Sequence, residues 1–91
     1  MTMTNELQYI PDNESDAYVY NTDLGLSAAL IAKGFDLVSL DTSKPKARFI
    51  FKTTNTLNKA IQDYWNGKLD VDAINYFNVL KRLKSQIYSS N

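Results

Sequence analysis

Two clusters of basic residues hold the most concentrated chemistry in this chain: Lys44, Lys46, Arg48 and Lys52, then Lys81, Arg82 and Lys84. Lys and Arg so grouped attract phosphate regardless of base sequence, which makes both clusters candidate anion or nucleic-acid contacts. The competing reading is solvated surface, with Lys81, Arg82 and Lys84 favourably placed near a helix C-terminus. An isoelectric point of about 6.1 weighs against a dedicated nucleic-acid binder, which is usually strongly basic. Asp70 and Asp72 offer two carboxylates to a hard cation, but no further oxygen ligands cluster beside them. A helix cap followed by a first-turn acid accounts for both, so no metal is expected. Phe49 and Phe51 on one strand face are of the type that stacks on bases, yet helices packed on that face would need them as core.

Histidine and cysteine are both absent. That removes the commonest zinc ligands, the usual general base and any disulfide. Catalysis would rest on carboxylates, Lys, Tyr or Ser alone, so no enzymatic activity and no cofactor are expected. The net charge of zero conceals a split. Residues 1–43 carry seven acids against Lys33 alone, and residues 44–91 carry nine bases against Asp63, Asp70 and Asp72. Such asymmetry marks either a nucleic-acid face or two parts that lie against each other in the fold. No apolar run is long enough for a transmembrane helix, and the acidic first residues do not read as a secretory signal. A cytoplasmic location in a bacterial host is the expectation.

The elements that must position these groups follow from periodicity. Ala17 to Asn21 alternates as a strand, with Tyr18 and Tyr20 on one face. Thr22 reads as an N-cap with Asp23 in the first helical turn. Asp23 to Lys33 is a helix with Leu24, Ala28, Leu30 and Ile31 to one side, and Gly25 lets another element approach closely. Gly34 at a left-handed position and Phe35 packing back on Leu30 end it. Phe35 to Leu40 and Ala47 to Lys52 form an antiparallel hairpin across the turn residues 41–46. Phe35, Leu37, Ala47, Phe49 and Phe51 make its core face. Val38, Leu40 and Ile50 share the other face with Arg48 and Lys52.

Thr53 or Thr54 caps a second helix whose buried face is Leu57, Ala60, Ile61, Tyr64 and Trp65, ended by Asn66-Gly67. Asp70 reads as the cap of a third helix, Val71 to Tyr88, with Ala73, Tyr76, Phe77, Leu80, Leu83 and Ile87 on its apolar stripe. The chain is thus expected to be α+β, in the order β-α-β-β-α-α. A small three-stranded sheet with an antiparallel hairpin is packed by three helices. Residues 17–88 form the domain, residues 1–16 a flexible acidic tail and residues 89–91 a frayed end.

Several of these marks occur together in YNTDLGLSAALIAKGFDL, ARFIF, YWNGKLDVDA and FNVLKRLKSQIY. Over about residues 18–88 the chain resembles a family of short uncharacterised domains found in bacteriophages and in mobile or metagenomic bacterial sequences. The residues carrying the resemblance are Thr22-Asp23, Ala28-Ala29, Lys33-Gly34-Phe35, Phe49-Ile50-Phe51, Tyr64-Trp65, Gly67, Leu83-Lys84 and Ile87-Tyr88. It implies a phage or mobile-element origin and the βαββαα layout, and no catalytic residues.

Val38, Leu40 and Ile50 form a candidate interface on the face the helices leave uncovered. Leu7, Tyr9 and Ile10 of the tail either join that patch or cover it. The exposed sheet edge offers a second route to pairing. The residues therefore favour a small accessory protein that acts by binding, through a protein partner or homo-oligomerisation, and that modulates host machinery or defence. The alternative is a nucleic-acid-binding accessory protein using the two basic clusters.

Overall fold

Val19, Phe49 and Phe51 fall at positions that a pleated pair of strands must turn to one face, and the fold is built to cover that face. In the computed structural model, which describes residues 7–8 and 17–89, the elements run β1 (Leu7–Gln8), β2 (Tyr18–Asn21), α1 (Leu24–Lys33), β3 (Leu37–Asp41), β4 (Arg48–Lys52), α2 (Asn55–Trp65) and α3 (Ala73–Ser89). The body is the expected α+β fold, a three-stranded antiparallel sheet of β2, β4 and β3. A two-residue ladder from β1 extends it at the β2 edge, where Leu7 pairs with Asn21 and Gln8 with Tyr20. Most of the acidic N-terminal stretch, Tyr9 and Ile10 included, lies outside the described residues, as do residues 90–91. Strands β2 and β3 flank β4 and run parallel to each other, so α1 is a crossover above the sheet.

In the register, Val19 and Leu37 lie opposite Phe51, while Asn21 and Leu40 lie opposite Phe49. Val19, Phe49 and Phe51 meet Leu26, Ala28 and Leu30 of α1, Leu57, Ala60 and Ile61 of α2, and Val79 and Leu83 of α3 in one buried cluster, with Leu37 and Leu40 packed against it. All three helices therefore lie on the same side of the sheet.

Strand β3 departs from strict alternation. Leu37 and Leu40 both oppose inward phenylalanines although three positions separate them, and the ladder slips between Leu37 and Ser39 to allow it. This bulge moves Leu40 off the outer face expected for it and packs it against the core. Val38, the extra residue, is left 51% exposed.

The caps of α1 and α3 differ from expectation by one or two residues, while that of α2 is one of the two threonines expected. Asp23, not Thr22, caps α1, accepting the Leu26 N–H at 3.0 Å. Thr54 caps α2 through the Leu57 N–H at 3.0 Å. Asp72, not Asp70, receives the Asn75 N–H at 2.8 Å, and α3 begins at Ala73. Each shift places the carboxylate or hydroxyl three residues before the amide it receives, the reach of an N-cap side chain. Trp65 and Phe77, expected to be buried, are 46% and 54% exposed.

The joint between β2 and α1 is polar and fully buried. Asn21 and Ser27 are both at 0% exposure. The Asn21 amide donates to Ser27 Oγ at 2.9 Å, and its Oδ1 accepts the Asp23 N–H at 2.6 Å. At the other end of α1, Gly34 at φ 114° lets its own N–H reach the Ile31 carbonyl and the Phe35 N–H reach the Leu30 carbonyl, each at 3.0 Å. That is the expected Schellman closure.

Two stability changes follow. Asn21→Ala strands the Ser27 hydroxyl and the Asp23 amide and opens a void, and should cost about 2–3 kcal/mol in urea denaturation. Gly34→Ala meets nothing within 4 Å. Its cost is the left-handed backbone alone, about 1–2 kcal/mol, and a neutral result would show that the helix can end another way.

Candidate interaction surface

On the outer sheet face, neighbouring strands bring Tyr20, Arg48 and Asp41 into a row. Arg48 Nη2 donates to Asp41 Oδ2 at 3.0 Å, and its guanidinium carbon lies 5.2 Å from the centre of the Tyr20 ring. Asp41 also accepts the Ser43 hydroxyl at 2.6 Å and the Ser43 N–H at 2.9 Å. These two hydrogen bonds from Ser43, then that from Arg48, hold its carboxyl well below the usual carboxylate range. Arg48 is thereby neutralised, and the basic hairpin cluster is left with Lys44 and Lys46 on the exposed β3–β4 loop and Lys52 at the exposed end of β4.

Val38, Leu40 and Ile50 are not gathered into a patch. Ile50 lies between Tyr20 and Ser39 on the outer face, Leu40 turns inward, and Val38 sits on the bulge. Val38 lines a cleft of 390 Å³ with Phe35, Phe51, Lys52, Thr54 and Leu57. The Thr54 hydroxyl there is committed to the α2 cap and shares a 3.1 Å hydrogen bond with Thr56.

Helix α3 carries the more pronounced surface. Its N-terminus is tied to the end of α1, where Lys33 Nζ donates to the Asp70 carbonyl at 2.7 Å and Asn75 Nδ2 to the Ala32 carbonyl at 3.1 Å. With that end held, Val79 and Leu83 turn into the core, and Tyr76, Leu80 and Ile87 border it. At 100° per residue, Ile74, Phe77, Lys81 and Tyr88 then fall within an arc of about 60° on a different side. Ile74 is 73% exposed and Tyr88 71%. The Lys81 ammonium sits 5.1 Å from the centre of the Phe77 ring.

Lys81, Arg82 and Lys84 are all exposed, and α3 contains no acid. The two basic clusters do not merge, because Arg48 and Lys52 occupy outward positions of β4 while α3 lies on the helix side. Periodicity alone does not separate the α3 stripe, because an inward stripe wide enough to include Phe77 fits the same sequence. The i, i+3, i+7 spacing of Ile74, Phe77 and Lys81, with Tyr88 two turns beyond Lys81, was the available signal.

Two tyrosines close over the first turn of α1. The Tyr64 and Tyr76 hydroxyls lie 3.1 and 3.5 Å from where a Cβ at Gly25 would stand, so the glycine does permit a close approach. Burial, then the negative charge of Asp23, raises the Tyr64 phenol above its ordinary pKa. Among the described residues no group of three or more acidic side chains is placed to hold a metal ion. No described helix is long and apolar enough to cross a membrane.

The model of one protein family, described as a domain of unknown function (DUF5659), matches residues 16–89. No curated protein matches the chain. No solved structure matches it either.

The depressed Asp41 carboxyl makes a signed prediction. A folded-state pKa below the unfolded one stabilises the fold above the unfolded value, about pH 4, and that contribution is lost as pH falls through the folded pKa. Asp41→Asn should therefore reduce the loss of stability on acidification below about pH 4. Denaturation midpoints at pH 7 and pH 2.5 measure it, and an unchanged difference between them would remove Asp41 from the acid response.

Proposed function

The chain belongs to the DUF5659 family, and from that starting point we propose that it works by binding a protein partner through the exposed face of α3. The observation that carries this is the concentration of large apolar side chains on solvent there. Ile74, Phe77 and Tyr88 are each more than half exposed on one helix face. Exposed apolar side chains gathered on one helix face mark interaction sites, and Ile74 and Phe77 stand at i and i+3 with Tyr88 at i+14. The outer sheet face is the weaker candidate, since the bulge has turned Leu40 inward and the Arg48–Asp41 pair occupies its centre.

In line with the family its sequence resembles, the setting we infer is a small accessory protein of a bacteriophage or mobile element. It would act in the bacterial cytoplasm on host machinery or defence. A second reading, nucleic-acid binding, is favoured by Lys81, Arg82 and Lys84, which are exposed and in no ion pair among the described residues.

Phe77→Asp and Tyr88→Ser are substitutions at solvent-facing positions and should shift stability by no more than about 0.5 kcal/mol. Affinity capture from a bacterial host should lose its specific partner with either variant. Retention of the same partner by both would move the working surface elsewhere. For the second reading, oligonucleotide affinity should fall steeply with salt, and Lys84→Ala should weaken it uniformly across sequences. An absence of binding at low salt would remove it.

A further inference from the structure

Resting on that reading of α3, we propose that its occupant is an amphipathic helix of a different protein, with carboxylates flanking its apolar stripe and one of them meeting Lys81. The shape argument comes first. From Ile74 to Tyr88 the stripe is about 21 Å long at 1.5 Å per residue, and it is narrow. A row of that form matches the single stripe of another helix lying alongside it.

The charge argument fixes the partner's chemistry. Lys81 lies over the Phe77 ring, so a surface that covers Phe77 also takes Lys81 out of water. An unpaired ammonium in such a place is costly, and a carboxylate within reach offsets the cost. Helix α3 cannot supply one, because Ala73–Ser89 contains no Asp or Glu. The ion pairs found among the described residues, Arg48–Asp41 and Lys59–Asp63, lie on other elements. No described acid of this chain pairs with Lys81, and that role is assigned to the partner. Lys84, beside Phe77 by the same count, extends the same demand along the helix.

A second copy of the chain fits badly. The stripe runs from residue 74 to residue 88, so its midpoint is residue 81. Antiparallel pairing of two α3 stripes brings Lys81 against Lys81, and in-register parallel pairing does the same. Like charges so placed at the centre of an interface are repulsive.

The probe is a displayed library of 18-residue helical peptides, with leucine fixed along one stripe and the flanking positions varied among Glu, Gln and Lys. It is panned against the full chain. Glu should be enriched beside the leucines. The best peptide should lose at least tenfold in affinity on Lys81→Glu, and a Glu→Lys version of it should regain binding to the Lys81→Glu chain. Lys81 is exposed, so thermal melting should show both chains equally folded.

Enrichment of Gln or Lys, or indifference to Lys81→Glu, overturns the acidic partner. If such peptides still lose binding on Phe77→Asp, the α3 surface itself survives. Peptides indifferent to Phe77→Asp as well, or no enrichment at all, sink both. A dimer in sedimentation that Phe77→Asp dissociates would identify a second copy instead. Preferential binding of a 20-nucleotide probe at 150 mM salt, lost on Lys81→Glu, would identify nucleic acid.

Discussion

Burial of Phe49 and Phe51 is the constraint on which the rest of this structure depends. They sit on the central strand, at 1% and 0% exposure, and each full burial contributes about 2–3 kcal/mol. A strand with neighbours on both edges can cover such residues only from a face. Val19 and the two leucines of β3 align beside them, and helices from all three segments close above. The other sheet face is covered by no described helix. It is occupied by Tyr20, Arg48 and Asp41, whose cation–π contact and ion pair tie neighbouring strands across their outward side.

Helix α1 transmits that constraint to the helix layer. Its start is locked to β2 by the buried Asn21–Ser27 pair, and its end is fixed by Gly34. From that fixed end, hydrogen bonds from Lys33 and from Asn75 anchor the beginning of α3. Once one end of α3 is tied and Leu83 is buried, the rotation of the helix is set. The outward position of Ile74, Phe77 and Tyr88 is then a consequence of how the core is filled.

Charge sorts along the same division. The one base on the outer sheet face that stands beside an acid, Arg48, is paired, and Asp41 is held ionised by Ser43 as well. On α3 the bases stand without acids, and one of them is drawn over an exposed ring. A helix that keeps both apolar and basic side chains on solvent is suited to a partner that supplies apolar surface and negative charge together.

Local pattern alone determined the types and order of the elements from β2 to α3, because alternation in 47–52, the i, i+3, i+4 spacing in 55–65 and glycine at position 34 depend only on neighbours in sequence. The inward residues of β4 and α2 were legible for the same reason, Trp65 excepted. Two things were decided by tertiary structure. Leu37 and Leu40 sit three apart, a hint of a bulge, but only the fixed positions of Phe49 and Phe51 across the ladder make both turn inward. The outer face of α3 was likewise undetermined. Its sequence holds two apolar stripes, and only the anchoring of its N-terminus to α1 selects the one carrying Val79 and Leu83 for the core. The other, with Phe77 under Lys81, is thereby turned away from that core.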